Sequence, residues 1–347
     1  MKALIDKLRR DGRLRPAEYL RLIELADPSV SEYAARTARA VARERFGGGV
    51  FIRGLVEITS FCRNDCLYCG LRRSNTALVR YRLGEEQIAA ACRAGHAAGF
   101  RTFVLQGGED PALEDGRVER LVRRLRAEFP DSALTLSLGE RSRDAYRRWR
   151  EAGADRYLLR HEAADAACYA RLHPADMSQQ RRMACLSTLR ELGYQTGAGM
   201  MVGAPGQTAD DLAADLRFLE RFRPEMVGIG PYLPQRQTPL ADSPPGSADR
   251  TLLLLSLVRL MLPDALIPAT TALASLLADG RERGILAGAN VVMPNLSPPD
   301  VREQYAIYDH KLASGAEAAD GLRELAGRLD AIGYRIDYAR GDFRADL

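Results

Sequence analysis

Beyond residue 50 the chain alternates short apolar runs with longer stretches whose apolar positions recur every three or four residues. The first kind reads as buried strands and the second as amphipathic helices. Their regular alternation is the pattern of repeated βα units around a parallel sheet. Eight runs have strand character, at residues 54–60, 102–107, 133–138, 156–161, 195–202, 226–231, 266–271 and 289–294. Helical stretches fall between them at 85–98, 117–128, 144–152, 179–192, 210–221 and 249–261. Gly99, Gly153 and Gly193 each stand just before a strand, where a helix C-terminal glycine is expected. Eight such units close into a (β/α)8 barrel, a TIM-type α/β fold whose functional side chains gather at the C-terminal ends of the strands. The expected organisation is an N-terminal helical cap over residues 1–46, built on stretches 15–26 and 31–45, then a barrel over 47–311 and a helical tail over 312–347.

Composition narrows the classes. The 347 residues are 46% hydrophobic and 28% charged, which suits a globular chain with a large core. A net charge of +4 is small for this length and implies neither a nucleic-acid partner nor a membrane surface. Lysine occurs only at Lys2, Lys7 and Lys311, so nearly all positive charge is arginine, the mark of a compositional bias. The longest apolar stretch, 251–262, is short and contains Arg259, which suits a buried helix and not a membrane span. The N-terminus, Met1-Lys2-Ala3-Leu4-Ile5-Asp6-Lys7, has no apolar core of a secretory signal. Six cysteines, three of them in one motif, fit a reducing cytoplasm better than a disulfide framework, so a cytoplasmic protein is expected.

Those three cysteines follow the first barrel strand. Residues 60–70 read Ser60-Phe61-Cys62-Arg63-Asn64-Asp65-Cys66-Leu67-Tyr68-Cys69-Gly70, a C-x3-C-x2-C spacing. Three thiolates on one loop can hold three irons of a cubane cluster and leave the fourth open for chemistry. The alternative is zinc or incidental cysteines, but a structural zinc site needs a fourth Cys or His close by and none stands near. Cys92, Cys168 and Cys185 lie in helical segments, and His96 and His161 have no ligand-like spacing to the loop.

The other strand ends hold polar groups that would converge on the barrel mouth. The second ends in Gln106-Gly107-Gly108-Glu109, where two glycines permit close backbone approach to a ligand and Glu109 can accept from an ammonium. A tight turn explains the glycines equally well, though not the flanking Gln and Glu. The third ends in Ser137 and Glu140, and the fourth in Arg160, His161 and Glu162. Arg160, Glu162 and Arg181 can clamp a zwitterion, since a guanidinium fork suits a carboxylate, or can form salt bridges among themselves. His161 alternates away from its neighbours and reads as a packed residue. Ile229 offers an apolar wall, or simply core. Thr270, Thr271, Met293 and Asn295 bring two hydroxyls, a thioether and an amide to one pocket, which Tyr305 and Tyr308 can close.

With Tyr68 before the last cysteine, this motif resembles the signature of radical S-adenosylmethionine (SAM) enzymes, and the glycine turn resembles the one that holds the methionine amino group in that family. From about Val50 to Tyr308 the chain looks like the HydE-type maturases of FeFe hydrogenase, within the biotin-synthase-like group. The resemblance rests on Cys62 to Asn75, Gln106 to Pro111, Ser137 to Glu140, Ala154 to Glu162, Gly197 to Thr208, Met226 to Pro231, Ile267 to Thr271 and Gly288 to Asn295. It implies that Cys62, Cys66 and Cys69 bind one 4Fe-4S cluster. It also implies that Tyr68, Gly107, Gly108, Glu109, Ser137, Glu140, Arg160, Glu162, Arg181 and Ile229 surround SAM, and that Arg160, Thr270, Thr271, Met293 and Tyr308 line the reaction pocket. Implied too are reductive cleavage of SAM to a 5′-deoxyadenosyl radical and action on a cysteine-bound iron carbonyl cyanide precursor of the diiron subsite. The implied partners are the small organometallic or thiol substrate, other hydrogenase maturases and a flavodoxin or ferredoxin-type reductant, with no nucleic acid and no membrane. One departure is visible: some members carry further C-terminal cysteines for a second cluster, and here none follows Cys185. The alternatives are a lysine mutase resembling methylornithine synthase, and a plain iron-sulfur carrier, which would not need the glycine turn or inward polar residues.

Overall fold

The structure is a computed structural model and describes residues 1–315 and 318–344. Nine strands form among them: β1 (Gly49–Ile52), β2 (Gly54–Thr59), β3 (Thr102–Gly107), β4 (Ala133–Ser137), β5 (Arg156–Leu158), β6 (Gln195–Val202), β7 (Met226–Pro231), β8 (Val291–Val292) and β9 (Arg335–Asp337). Strands β2 to β7 lie in sequence order in one parallel sheet. The helices Glu85–Ala97, Asp115–Glu128, Arg143–Glu151, Gln179–Glu191, Ala209–Phe222 and Ala248–Met261 match the periodic stretches to within two residues. Burial runs along nearly the whole of β2, β6 and β7, because helices cover one face and the barrel interior the other. The glycines expected to stop helices do so: Gly99, Gly153 and Gly193 have φ of 98°, 116° and 78°.

The ring closes through single bridges. Leu266 pairs with Met226, Pro268 with Val291 and Asn295 with Leu55, so two of the eight expected strands are reduced to fragments. No strand spans 266–271. Pro268 has no N–H for a ladder, and the Thr270 hydroxyl accepts from Leu273 N, capping the helix Thr271–Leu276. The run at 289–294 shortens to β8. The run at 156–161 shortens to β5, because His161 Nδ1 takes the Gly199 N–H at 3.2 Å and interrupts the ladder before Glu162 rejoins Met200.

Helices Lys2–Asp11, Pro16–Leu25 and Pro28–Phe46 cover one flank of the barrel. Tyr19 Oη donates to Glu220 Oε2 at 2.6 Å, and the helix Pro28–Phe46 lies against Ala248–Met261. The latter is buried from Thr251 to Met261, held between barrel and cap, which is why its sequence is apolar all round. After the helix Leu322–Asp330 the chain forms β9, and β8, β1 and β9 make a small parallel sheet. The final segment seals the barrel floor. Arg156, wholly buried, donates to the carbonyls of Arg340 and Gly341 at 3.1 and 2.9 Å and to Asp342 Oδ1 at 2.8 Å. Among the described residues no helix is long and apolar enough to cross a membrane.

Strands β6 and β7 approach closely where Gly199 faces Gly228. A Cβ on Gly199 would stand 2.0 Å from the Gly228 carbonyl oxygen, and neither backbone can yield without breaking the ladder. Gly199→Ala should therefore lower stability by about 3 kcal/mol or more in a denaturant titration. Gly327→Ala is the control: it lies inside a helix with nothing within 4 Å of an added Cβ. It should be neutral or stabilising by up to about 1 kcal/mol.

Candidate active site

The cysteine loop leaves β2 at the barrel mouth and is shaped by the protein's own hydrogen bonds. Arg80 donates to the carbonyls of Ser60, Leu71, Arg72 and Asn75 at 2.6, 3.1, 2.7 and 3.1 Å. Asp65 accepts both guanidinium arms of Arg72 at 2.8 Å and the Ser74 hydroxyl at 2.8 Å, which holds its carboxyl well below the usual range. Cys62, Cys66 and Cys69 are free and half-buried. Burial pushes all three thiols up, Cys69 to about 12, where the neighbouring Cys62 adds to the effect. Cys92, Cys168 and Cys185 are buried on helices. Among the described residues no three ligating groups stand close enough to share one metal ion. That is no obstacle to a cubane, whose thiolates each hold a different iron and stand further apart than ligands of one ion. Desolvated thiols that raise one another's pKa on a fixed loop fit such a cluster, since metal binding deprotonates them.

The end of β3 abuts this loop. A Cβ on Gly108 would meet the Phe61 carbonyl oxygen at 2.3 Å and Cys62 Cβ at 2.7 Å, so only glycine fits. Glu109 is anchored: Oε2 accepts from Arg63 Nε and Nη2 at 3.1 and 2.9 Å, and Oε1 from Glu140 N at 2.8 Å. Gly139, at φ 76°, leaves room for that carboxylate, with its own absent Cβ only 2.1 Å from Glu109 Cγ. Glu140 is buried between Arg182 Nε at 2.8 Å and Arg181 Nε at 3.2 Å, an ion pair not aligned as hydrogen bonds. Burial raises its carboxyl pKa, and Arg182 opposes the shift. Arg63, Asn64, Glu109, Glu140, Met177 and Arg181 bound a cleft of about 240 Å³.

Inside the barrel lies a second cavity, of about 320 Å³. Gly107, Ser137, Arg160, Glu162, Thr270, Thr271, Met293 and Tyr308 line it, with Gln106 and Tyr305 beside them. Arg160 Nη2 stands 3.4 Å from Glu162 Oε2, and yet Arg160 Nε and Nη2 and Glu162 Oε2 are buried without hydrogen-bond partners. Glu162 also adopts φ 63°, rare outside glycine. Strain and unspent polar capacity at one strand end are marks of a ligand site.

Some residues sit elsewhere. Ile229 is wholly in the core, and Gly228 is the residue of β7 that reaches the cavity. Tyr68 packs against Leu172, Met201, Ala204 and Tyr232, edge-on to His173, with its hydroxyl 3.4 Å from His173 Nε2. His161 is packed as expected: its Nε2 meets Asp215 Oδ1 at 3.1 Å, and both side chains are fully buried. Three charged cavity residues lie outside the motifs read from the sequence. Glu57 stands within an apolar run, where a lone acid in a buried strand is itself a signal. Lys311 is the last lysine of an arginine-rich chain, and Arg182 follows Arg181 on the same helix.

A family model of the radical SAM superfamily matches residues 56–219. The chain is 44% identical over 312 residues to the FeFe hydrogenase maturase subunit HydE of Thermotoga maritima, across 90% of this chain and 88% of that protein. It is 30% identical over 314 residues to a 3-methylornithine synthase of Methanosarcina acetivorans, across 90% of this chain and 87% of that protein. The crystal structure of methylornithine synthase (PylB) matches the fold with a TM-score of 0.86 at 28% identity, over 96% of this chain and 97% of that one. A three-cysteine loop at the mouth of a βα barrel, together with these similarities along nearly the whole chain, makes this protein a radical SAM enzyme of the HydE-type maturase family.

Proposed function

We propose that the chain acts in assembly of the FeFe-hydrogenase diiron subsite, on a cysteine-bound iron carbonyl cyanide precursor. The observation that carries this reading is the 44% identity to a HydE over nine-tenths of the chain, against 30% to a methylornithine synthase over the same share. Cys62, Cys66 and Cys69 would hold one 4Fe-4S cluster. When bound, the cluster and SAM supply a 5′-deoxyadenosyl radical after one electron arrives from a flavodoxin or ferredoxin-type donor.

The chain's own residues do the rest. The Glu109 and Glu140 carboxylates and the Arg181 guanidinium face one cleft beside the cysteine loop and offer both signs of charge to the ends of a zwitterion. In the barrel, the unsatisfied guanidinium edge of Arg160 receives an anionic group of the substrate, Thr270 and Thr271 present hydroxyls, and Met293 a polarizable wall. Tyr305, buried, and Tyr308, half-buried, stand over the cavity and limit the access of water to a site in which a radical must not meet solvent.

Three outcomes are expected. Anaerobic reconstitution should give about four irons per chain, the content of one cubane, lost in a Cys62→Ala/Cys66→Ala/Cys69→Ala variant and kept in Cys168→Ala. Iron retained by the triple variant would place a cluster elsewhere. Glu109→Gln and Arg181→Ala should each weaken SAM binding at least about tenfold, the loss of a charge-assisted contact of about 1.5 to 3 kcal/mol, with the cluster spectrum intact. Unchanged affinity in both would remove them from the SAM site. Expression in a strain lacking its HydE-type maturase should restore hydrogenase activity, and the purified enzyme with SAM and reductant should leave lysine unconverted. Formation of methylornithine without rescue would move the chain to the mutase.

A further inference from the structure

Glu57 lies in the middle of β2, wholly buried, with its side chain on the barrel cavity. Its position is fixed by the framework. Asn295 Nδ2 donates to Oε2 at 2.9 Å, Asn295 Oδ1 accepts from Ser297 N at 2.8 Å, and the Ser297 hydroxyl accepts from Glu57 N at 2.8 Å. The remaining oxygen, Oε1, takes the Lys311 ammonium at 2.5 Å, and that ammonium also stands 5.0 Å from the Tyr305 ring centroid. Carboxylate, aromatic face and fixed amide make an ammonium site, and the chain fills it from a loop 254 residues further on.

Composition gives an independent pointer. The chain uses arginine almost everywhere, and Lys311 is its only lysine after Lys7. A point charge on a slim, flexible stem fits a site shaped for one ammonium, where a planar guanidinium fork would not.

We propose that Glu57 is a built ammonium-binding site inside the reaction cavity, occupied by Lys311 as a tethered substrate mimic, and that this occupancy sets substrate class by refusing free primary amines. The inference rests on the proposed function only in taking the barrel cavity as the substrate's place. With Glu57 already neutralised, the charge left unsatisfied in the cavity is that of the Arg160–Glu162 pair, where the Arg160 guanidinium can take a substrate's anion. A ligand that brings an ammonium to Glu57 would have to displace Lys311 or leave one charge unpaired among buried groups.

Deleting the lysine should reopen the site. In reconstituted holoenzyme, Lys311→Ala should gain saturable binding of butylammonium, seen as a rise in melting temperature of about 3 °C or more at a hundredfold excess over Kd. Methylammonium should act more weakly because it leaves the space of the missing stem unfilled. Wild type and Lys311→Ala/Glu57→Gln should not respond. Equal response in all three, or none in Lys311→Ala, would overturn the proposal. Should Lys311→Ala not fold, Lys311→Met keeps the stem and removes the charge: it should melt lower than wild type, and adding Glu57→Gln should restore most of the loss. No restoration would equally overturn the proposal, since Glu57 would then not be the group left unpaired. None of these readouts needs turnover, so failure to rescue a hydrogenase strain would bear on the proposed function and not on this pair.

Discussion

A closed barrel buries charge away from bulk water, and this constraint sorts the ionisable groups of the structure. Desolvating a charge costs several kcal/mol unless a partner or several hydrogen bonds compensate. Away from the mouth several buried charges are compensated, although Arg53 meets only Met226 Sδ and keeps Nε and Nη2 without partners. Arg156 is saturated by the floor segment, His161 is matched to Asp215, and Glu57 is held by Asn295 and Lys311. At the mouth compensation is incomplete. Arg160, Glu162, Arg182 and Glu140 stand in pairs that are close but poorly aligned, with buried polar atoms left over. The first group keeps the fold unique; the second keeps interaction energy available for a ligand.

The cysteine loop follows the same logic in its backbone. A loop that is to present three thiols to a cluster cannot rely on the metal alone for its shape, or it would bind any metal in any register. Arg80 takes four of its carbonyls, and Asp65 is locked by Arg72 and Ser74, so the cysteines are placed by side chains that touch no metal. The cost is borne by the thiols, which burial and mutual proximity hold in the neutral form. Ligation by these thiols would reverse that state and couple cluster insertion to proton release.

How much of this could be read from the chain depended on the range of the signal. The six helices between the barrel strands could be read from the chain, and the cysteine loop showed its spacing, because both signals are local. The strand at 266–271 did not survive because Pro268 and Thr270 impose a cap and a turn that outweigh apolar character. Strands β1 and β9, at four and three residues, are too short to show alternation and exist only through their pairing. Glu57 and Lys311 were invisible for a different reason: neither has meaning without the other, and nothing in sequence joins them.

Arg181 and Arg182 show why a motif cannot stand in for a position. Successive residues on a helix point about 100° apart, so the side chain of Arg181 is 64% exposed over the outer cleft while that of Arg182 is 10% exposed and lines the barrel. Both lean on Glu140, which lines the cleft. One carboxylate thus forms the wall between the compartment beside the cysteine loop and the compartment inside the barrel. Because Arg182 is buried, its charge is little screened by solvent. A ligand carboxylate or ammonium that changes the balance at Glu140 on the cleft side is therefore felt at Arg182 on the barrel side.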